Sequence, residues 1–108
     1  MQRVLFVCSQ NKLRSPTAEQ VFALHPDIQC ASAGTNNDAE NALTAELVVW
    51  AQVIVVMEKV HRAKVSKRFR RHLAGKRIVC LDIPDNYHFM QPELIGLLES
   101  RASRFLPR

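Results

Sequence analysis

Cysteine is scarce in this 108-residue chain: only Cys8, Cys30 and Cys80 are present, and no two form a C-x-x-C pair. A zinc site and an exported disulfide scaffold are therefore not expected. Free thiols in a reducing cytoplasm are. The four histidines, His25, His61, His72 and His88, share no ligand spacing, so neither a metal nor another cofactor is called for. No apolar run approaches the ~20 residues that a bilayer-spanning helix needs; Val53 to Met57 is the clearest and is far shorter. The start, Met1-Gln2-Arg3 and an apolar run ending at Cys8, has no small-residue cleavage site after it. It does not read as a secretory signal. Repeats, linkers and low-complexity tracts are absent, and the length suits one domain over 1–108.

Negative charge is missing from one stretch. Between Lys59 and Arg77 there are nine Lys or Arg and no Asp or Glu, whereas the other six bases stand against all ten acids. The net charge of +5 thus belongs to one segment. Single-stranded nucleic acid would call for aromatic residues among those bases. Only Phe69 is there, and its spacing from Val65 and Leu73 turns it inward. Nucleic acid is not the favoured partner. A solvated face, or a field that attracts a phosphorylated protein, fits as well.

Short continuous apolar runs recur at Val4–Val7, Ile28–Ala31, Val53–Val56 and Arg77–Leu81. Such runs suit strands buried on both faces. Helical patterns fall between and after them, from Ser15-Pro16-Thr17 to Pro26, Thr44 to Trp50, Glu58 to Ala74 and Pro92 to about Leu106. Ser15 is placed to cap the first helix, with Pro16 at its first position. Gly75 stops the basic helix. Alternation of this kind predicts an α/β fold, a three-layer sandwich with a four-stranded parallel sheet flanked by helices on both faces. Ligands in such sheets bind beyond the carboxyl ends of the strands. Cys8, Gly34, Met57 and Asp82 all lie at or just past such ends.

The segment Cys8-Ser9-Gln10-Asn11-Lys12-Leu13-Arg14-Ser15 is a C-x5-R-S between a strand and a helix start. A loop of that length can curl so that its backbone N–H groups form an anion nest, to which the following helix adds its positive end. Arg14 can grip phosphate oxygens with two prongs. The same positive surroundings favour the nucleophilic thiolate at Cys8. Neither Cys30 nor Cys80 has an arginine at that spacing.

Val4–Cys8 through Arg14-Ser15-Pro16-Thr17-Ala18-Glu19 resembles the phosphate-binding loop of the low-molecular-weight protein tyrosine phosphatases. Ser32-Ala33-Gly34-Thr35, Val53 to Met57 and Ile83-Pro84-Asp85-Asn86-Tyr87 are similar to the family's later motifs, in the same order. The resemblance implies a metal-independent phosphomonoesterase. Cys8 would attack phosphorus, Arg14 would hold the equatorial oxygens, and the loop from Ser9 to Ser15 (Gln10, Asn11, Lys12 and Leu13 included) would cradle the phosphate. Ser15 would bond the thiolate, Asn11 would fix the loop's turn with help from Ser32, and Asp85 would act as general acid. Asp82 lies nearer the strand end and is the alternative acid. Tyr87 is the one aromatic wall expected.

The chain also departs from that pattern, and it is shorter than is usual for the family. Gln10 stands where glycine is common, and Lys12 where the residue is commonly apolar. Leu13 replaces a frequent second cysteine, which removes a protective disulfide with the nucleophile. Asn86 replaces a proline, and 36–41 lacks a flanking aromatic residue. The expected substrate is a phosphorylated protein, phosphotyrosine first, taken by a monomer without membrane attachment. Two other functions compete. Arsenate reduction would use the same loop but needs a thiol relay, for which the chain offers only Cys80. A non-catalytic phosphate- or nucleic-acid-binding module would keep the fold without turnover.

Overall fold

The computed structural model describes residues 1–106. The chain runs β1 (Gln2–Cys8), α1 (Arg14–Phe22), β2 (Ile28–Gly34), α2 (Ala45–Trp50), β3 (Val53–Val56), α3 (Lys59–Arg68), a 3-10 turn (Arg70–His72), β4 (Arg77–Cys80) and α4 (Pro92–Ala102). The four strands make one all-parallel sheet in the order β2-β1-β3-β4. Both central strands, β1 and β3, are apolar without alternation because both of their faces are covered.

Side chains alternate across the sheet and split the core in two. Val4, Phe6 and Cys8 of β1, with Val53 and Val55 of β3, face α1 and α4 and meet Ala18, Phe22, Leu94 and Leu98. Phe6 stacks on Phe22 at 5.6 Å between centroids. Leu5 and Val7, with Ile54 and Val56, face the other way and pack on Val48 of α2 and Val65 of α3. The expected three-layer sandwich is therefore the fold. Parallel register brings the carboxyl ends together: Cys8 lies opposite Gly34, Val7 opposite Val56, and Val56 opposite Cys80. The loops that follow them converge on one edge.

Several boundaries differ from the sequence reading: α1 ends at Phe22 rather than Pro26, and α4 at Ala102 rather than near Leu106. β2 continues past Ala31 to Gly34, because its last residues pair with Phe6, Val7 and Cys8. The basic helix ends at Arg68; Phe69 leaves helical dihedrals (φ −121°, ψ 23°), and the chain tightens into the 3-10 turn before Gly75 at φ +77°. α1 begins at Arg14 rather than after Ser15, and no side chain caps it. Ser15 is drawn instead toward Cys8 and Asn11. Pro16 sits within the first turn, where its missing N–H has no intrahelical partner to lose.

Candidate active site

The Cys8 loop turns inside out because the neighbouring segment takes its carbonyls. Thr35 N–H donates to Cys8 O (2.9 Å), Asn36 N–H to Ser9 O (3.0 Å) and Glu40 N–H to Gln10 O (3.1 Å). With those oxygens pulled outward, the loop's own N–H groups face the centre. Among the described residues, none of the N–H groups from Ser9 to Leu13 has a protein acceptor. Those donors, with the uncapped start of α1, make a nest for an anion.

This packing explains the second motif. A Cβ on Gly34 would stand 2.5 Å from Ser9 O and from Ala39 Cβ, and 3.0 Å from Asn11 N. Only glycine lets β2 and the loop approach this closely. Asn11 makes the tight turn, at φ 58°, in the left-handed region that asparagine tolerates better than most residues. Gln10 is not among the residues with positive φ. Its place in a commonly glycine position therefore stores no backbone strain.

A cavity of about 160 Å³ opens above the loop, lined by Cys8, Ser9, Gln10, Lys12, Leu13, Arg14 and Asp85. Cys8 is buried on its floor. Ser15 Oγ lies 2.9 Å from Cys8 Sγ and accepts from Asn11 Nδ2 at 2.9 Å. With Asn11 donating to Ser15 Oγ, the hydroxyl proton has two acceptors in reach, Cys8 Sγ at 2.9 Å and Ala33 O at 3.4 Å, and the sulfur is the nearer. Ser32 does not join Asn11 as expected: its hydroxyl donates to Glu19 of α1, tying β2 to that helix. Tyr87 is not a wall either. It packs half-buried against the core, and the cavity lining carries no aromatic side chain.

Arg14 is 2 % exposed. Its Nη1 donates to Glu58 Oε2 and to Ile83 O, both at 2.8 Å, which leaves Nε and Nη2 for an anion. Asp85 Oδ1 stands 3.7 Å from Nε, on a side chain 60 % exposed at the cavity mouth. Asp82 points elsewhere, 3.5 Å from Cys80 Sγ and outside that lining. Of the two aspartates, the structure brings Asp85 to the cysteine.

Two residues at this site escape a sequence reading. Glu58 and His61 follow β3 immediately, at the N-cap and third position of α3. Glu58 N–H donates to His61 Nδ1 (3.0 Å), and His61 Nε2 lies 2.9 Å from Ser9 Oγ. His61 is fully buried, and burial together with the Arg14 charge pushes its pKa down to about 4. The available signal was position: a Glu-x-x-His just past a strand's carboxyl end, where sites of this fold gather.

The basic segment is partly structural. Arg62 donates to Ile78 O (3.2 Å), Arg68 to Thr35 O (2.5 Å), and Lys76 to Val49 O (2.9 Å) and Ala51 O (2.5 Å). The Arg77 guanidinium lies 5.2 Å from the Phe105 ring centre. Cys30 and Cys80 are partly buried, and neither lines the cavity. Burial, and then Glu19, push the Cys30 thiol up to about 11; burial also raises Cys80. No helix among the described residues is long and apolar enough to cross a membrane.

Residues 3–52 match the sequence profile of the family described as low molecular weight phosphotyrosine protein phosphatase. No curated protein matches the chain. Among solved structures, it is similar to the YwlE arginine phosphatase from Geobacillus stearothermophilus, at 22 % identity and a TM-score of 0.77, covering 96 % of this chain and 92 % of that one. The tyrosine phosphatase Wzb from Escherichia coli K30 gives 21 % and 0.77, over 96 % and 95 %. The low molecular weight protein tyrosine phosphatase SP-PTP from Streptococcus pyogenes gives 17 % and 0.78, over 100 % and 95 %. Over residues 3–52 the chain matches the sequence pattern of the low molecular weight phosphotyrosine protein phosphatases, and over nearly its whole length it has the fold of these phosphatase structures.

Proposed function

We propose that the chain hydrolyses phosphomonoesters through a cysteinyl-phosphate intermediate. The observation that carries this reading is Cys8 Sγ on the floor of an anion nest, 2.9 Å from the Ser15 hydroxyl and in one cavity with Arg14 and Asp85. In the first step the Cys8 thiolate attacks phosphorus. The S–P bond forms as the ester O–P bond breaks, and Asp85 gives its proton to the leaving oxygen. In the second, water attacks phosphorus and loses a proton to Asp85. The S–P bond breaks, and the departing thiolate takes the Ser15 hydrogen bond. Arg14 and the N–H groups from Ser9 to Arg14 hold the equatorial oxygens in both steps, which is where phosphoryl transfer needs charge stabilisation.

The substrate we assign is a phosphorylated protein, phosphotyrosine first, met by a cytoplasmic monomer. The family supports tyrosine, while Lys12 on the rim and the lack of an aromatic wall leave the pocket open to non-aryl phosphates. Arsenate reduction is the weaker reading, because the other two thiols lie outside the cavity with raised pKa values. Any resolving thiol would have to come from another molecule. The test is hydrolysis of an aryl phosphate without added metal and with reductant. Wild-type protein should turn over, and Cys8→Ser should not. Equal turnover by the two would end the proposal.

A further inference from the structure

Ser9 and His61 have no role in the reaction just described beyond the Ser9 backbone N–H. Their hydrogen bonds nevertheless fix where a proton sits. A backbone N–H can only donate, so His61 Nδ1, 3.0 Å from Glu58 N, is an acceptor and carries no proton. An imidazole with a bare Nδ1 is neutral and holds its proton on Nε2. That nitrogen lies 2.9 Å from Ser9 Oγ. The bond therefore runs from His61 to Ser9, and the serine oxygen is the acceptor.

This direction rules out one role and leaves another. His61 cannot act as a base toward Ser9, so Ser9 is no second nucleophile. Its hydroxyl proton must go elsewhere. Among the described residues Ser9 Oγ has no other partner, and Ser9 lines the cavity beside Cys8 and Arg14. Glu58 does not compete for the same contact: its Oε2 is 2.8 Å from Arg14 Nη1 and 3.9 Å from His61 Nε2. We infer that the Ser9 side chain is a phosphate-binding donor in its own right, and that His61 is the positioning residue that aims it, by occupying the oxygen lone pair that faces α3. The fully buried imidazole is held at both nitrogens and cannot turn away.

This deepens the proposed phosphatase reading and rests on it, and binding separates the two. Inorganic phosphate is titrated calorimetrically into Cys8→Ser protein, which keeps the cradle without turnover. Ser9→Ala in that background should weaken binding roughly tenfold, the loss of one hydrogen bond to a charged group. His61→Leu should weaken it less, and should add nothing once Ser9 is alanine. A role in folding alone would weaken binding to the same degree in both backgrounds. The tautomer is read directly in unmutated protein from nitrogen-15 correlations of the His61 ring, which should show a protonated Nε2 and a bare Nδ1. A protonated Nδ1, or phosphate affinity unmoved by Ser9→Ala, overturns the inference. Ser9-dependent binding without ester hydrolysis would leave it standing while the hydrolase reading fell. No phosphate binding by any form would overturn both.

Discussion

Arg14 Nη1 lies 2.8 Å from Glu58 Oε2, so the cavity-lining guanidinium of α1 is set by the residue that opens α3. A guanidinium only 2 % exposed needs a fixed acceptor, and Glu58 with Ile83 O supplies two. Glu58→Ala leaves Arg14 short of one acceptor and free to tilt. We expect kcat/KM for an aryl phosphate to fall ten- to hundredfold, about 1.4–2.8 kcal/mol of transition-state binding. Because Glu58 is itself 37 % exposed, water screens the pair, and the stability loss should be about 1–2 kcal/mol rather than the ~3–5 of a fully buried pair. Glu58→Gln keeps an acceptor and should recover part of both. Wild-type kinetics in the alanine variant would show that Arg14 needs no such support.

Gly34 has no side chain to give, yet the cradle depends on it. An alanine there would drive its Cβ to 2.5 Å from Ser9 O. Relief must strain the Thr35, Asn36 and Glu40 N–H bonds that tie the loop carbonyls to the segment after β2. Gly34→Ala should cost about 1–3 kcal/mol by overpacking and should lower phosphate affinity alongside turnover. Thermal unfolding and phosphate titration check both. A stable variant with full affinity would mean that the loop has slack.

Much of this site was legible in the sequence, for a definite reason. Cys8, Arg14 and Ser15 sit on one short loop between a strand and a helix, so their spacing alone places them together. The sheet was legible too, since apolar runs without alternation suit central parallel strands. What was not legible depends on contacts between distant segments. Ser15 reads as a helix cap until Asn11 and Cys8 are seen to claim its hydroxyl. Ser32 reads as a neighbour of Asn11 until Glu19 is found beside it. Tyr87 reads as a wall, but it packs half-buried against the core and does not line the cavity. Glu58 and His61 are 44 and 52 residues from the partners that give them meaning. No local pattern spans that distance.

The choice between Asp85 and Asp82 can be read from leaving groups. Asp85 faces the cavity beside Arg14, whereas Asp82, at φ 54°, points toward Cys80. A general acid matters most when the departing oxygen is a poor leaving group. Asp85→Asn should slow alkyl phosphates by roughly 10²–10⁴ and activated aryl phosphates far less. Asp82→Asn should stay within about twofold of wild type for either, since asparagine tolerates the same left-handed backbone. Equal slowing of good and poor leaving groups in Asp85→Asn would remove it from the acid role.

His61 also links the site to acid stability. Folded, it stays neutral down to about pH 4, because burial and then Arg14 disfavour the imidazolium, with Lys64 on the same side and Glu58 and Asp85 opposing them. Unfolded, it takes up a proton near its ordinary pKa of about 6.5. Between those values the unfolded chain binds a proton that the folded one refuses, so acid pulls the equilibrium toward unfolding. The contribution is fully present above pH 6.5 and is lost as pH falls toward 4, on the order of 3 kcal/mol in all. Protonation of Nδ1 would also break the bond from Glu58 N–H, and with it the alignment of Ser9. Denaturant unfolding from pH 7 to pH 4 should therefore show a steeper loss of stability in wild type than in His61→Gln. Every other group is common to the two proteins, so the difference between the two curves isolates His61. Parallel curves through that window would mean that the imidazole accepts its proton in the folded state without penalty.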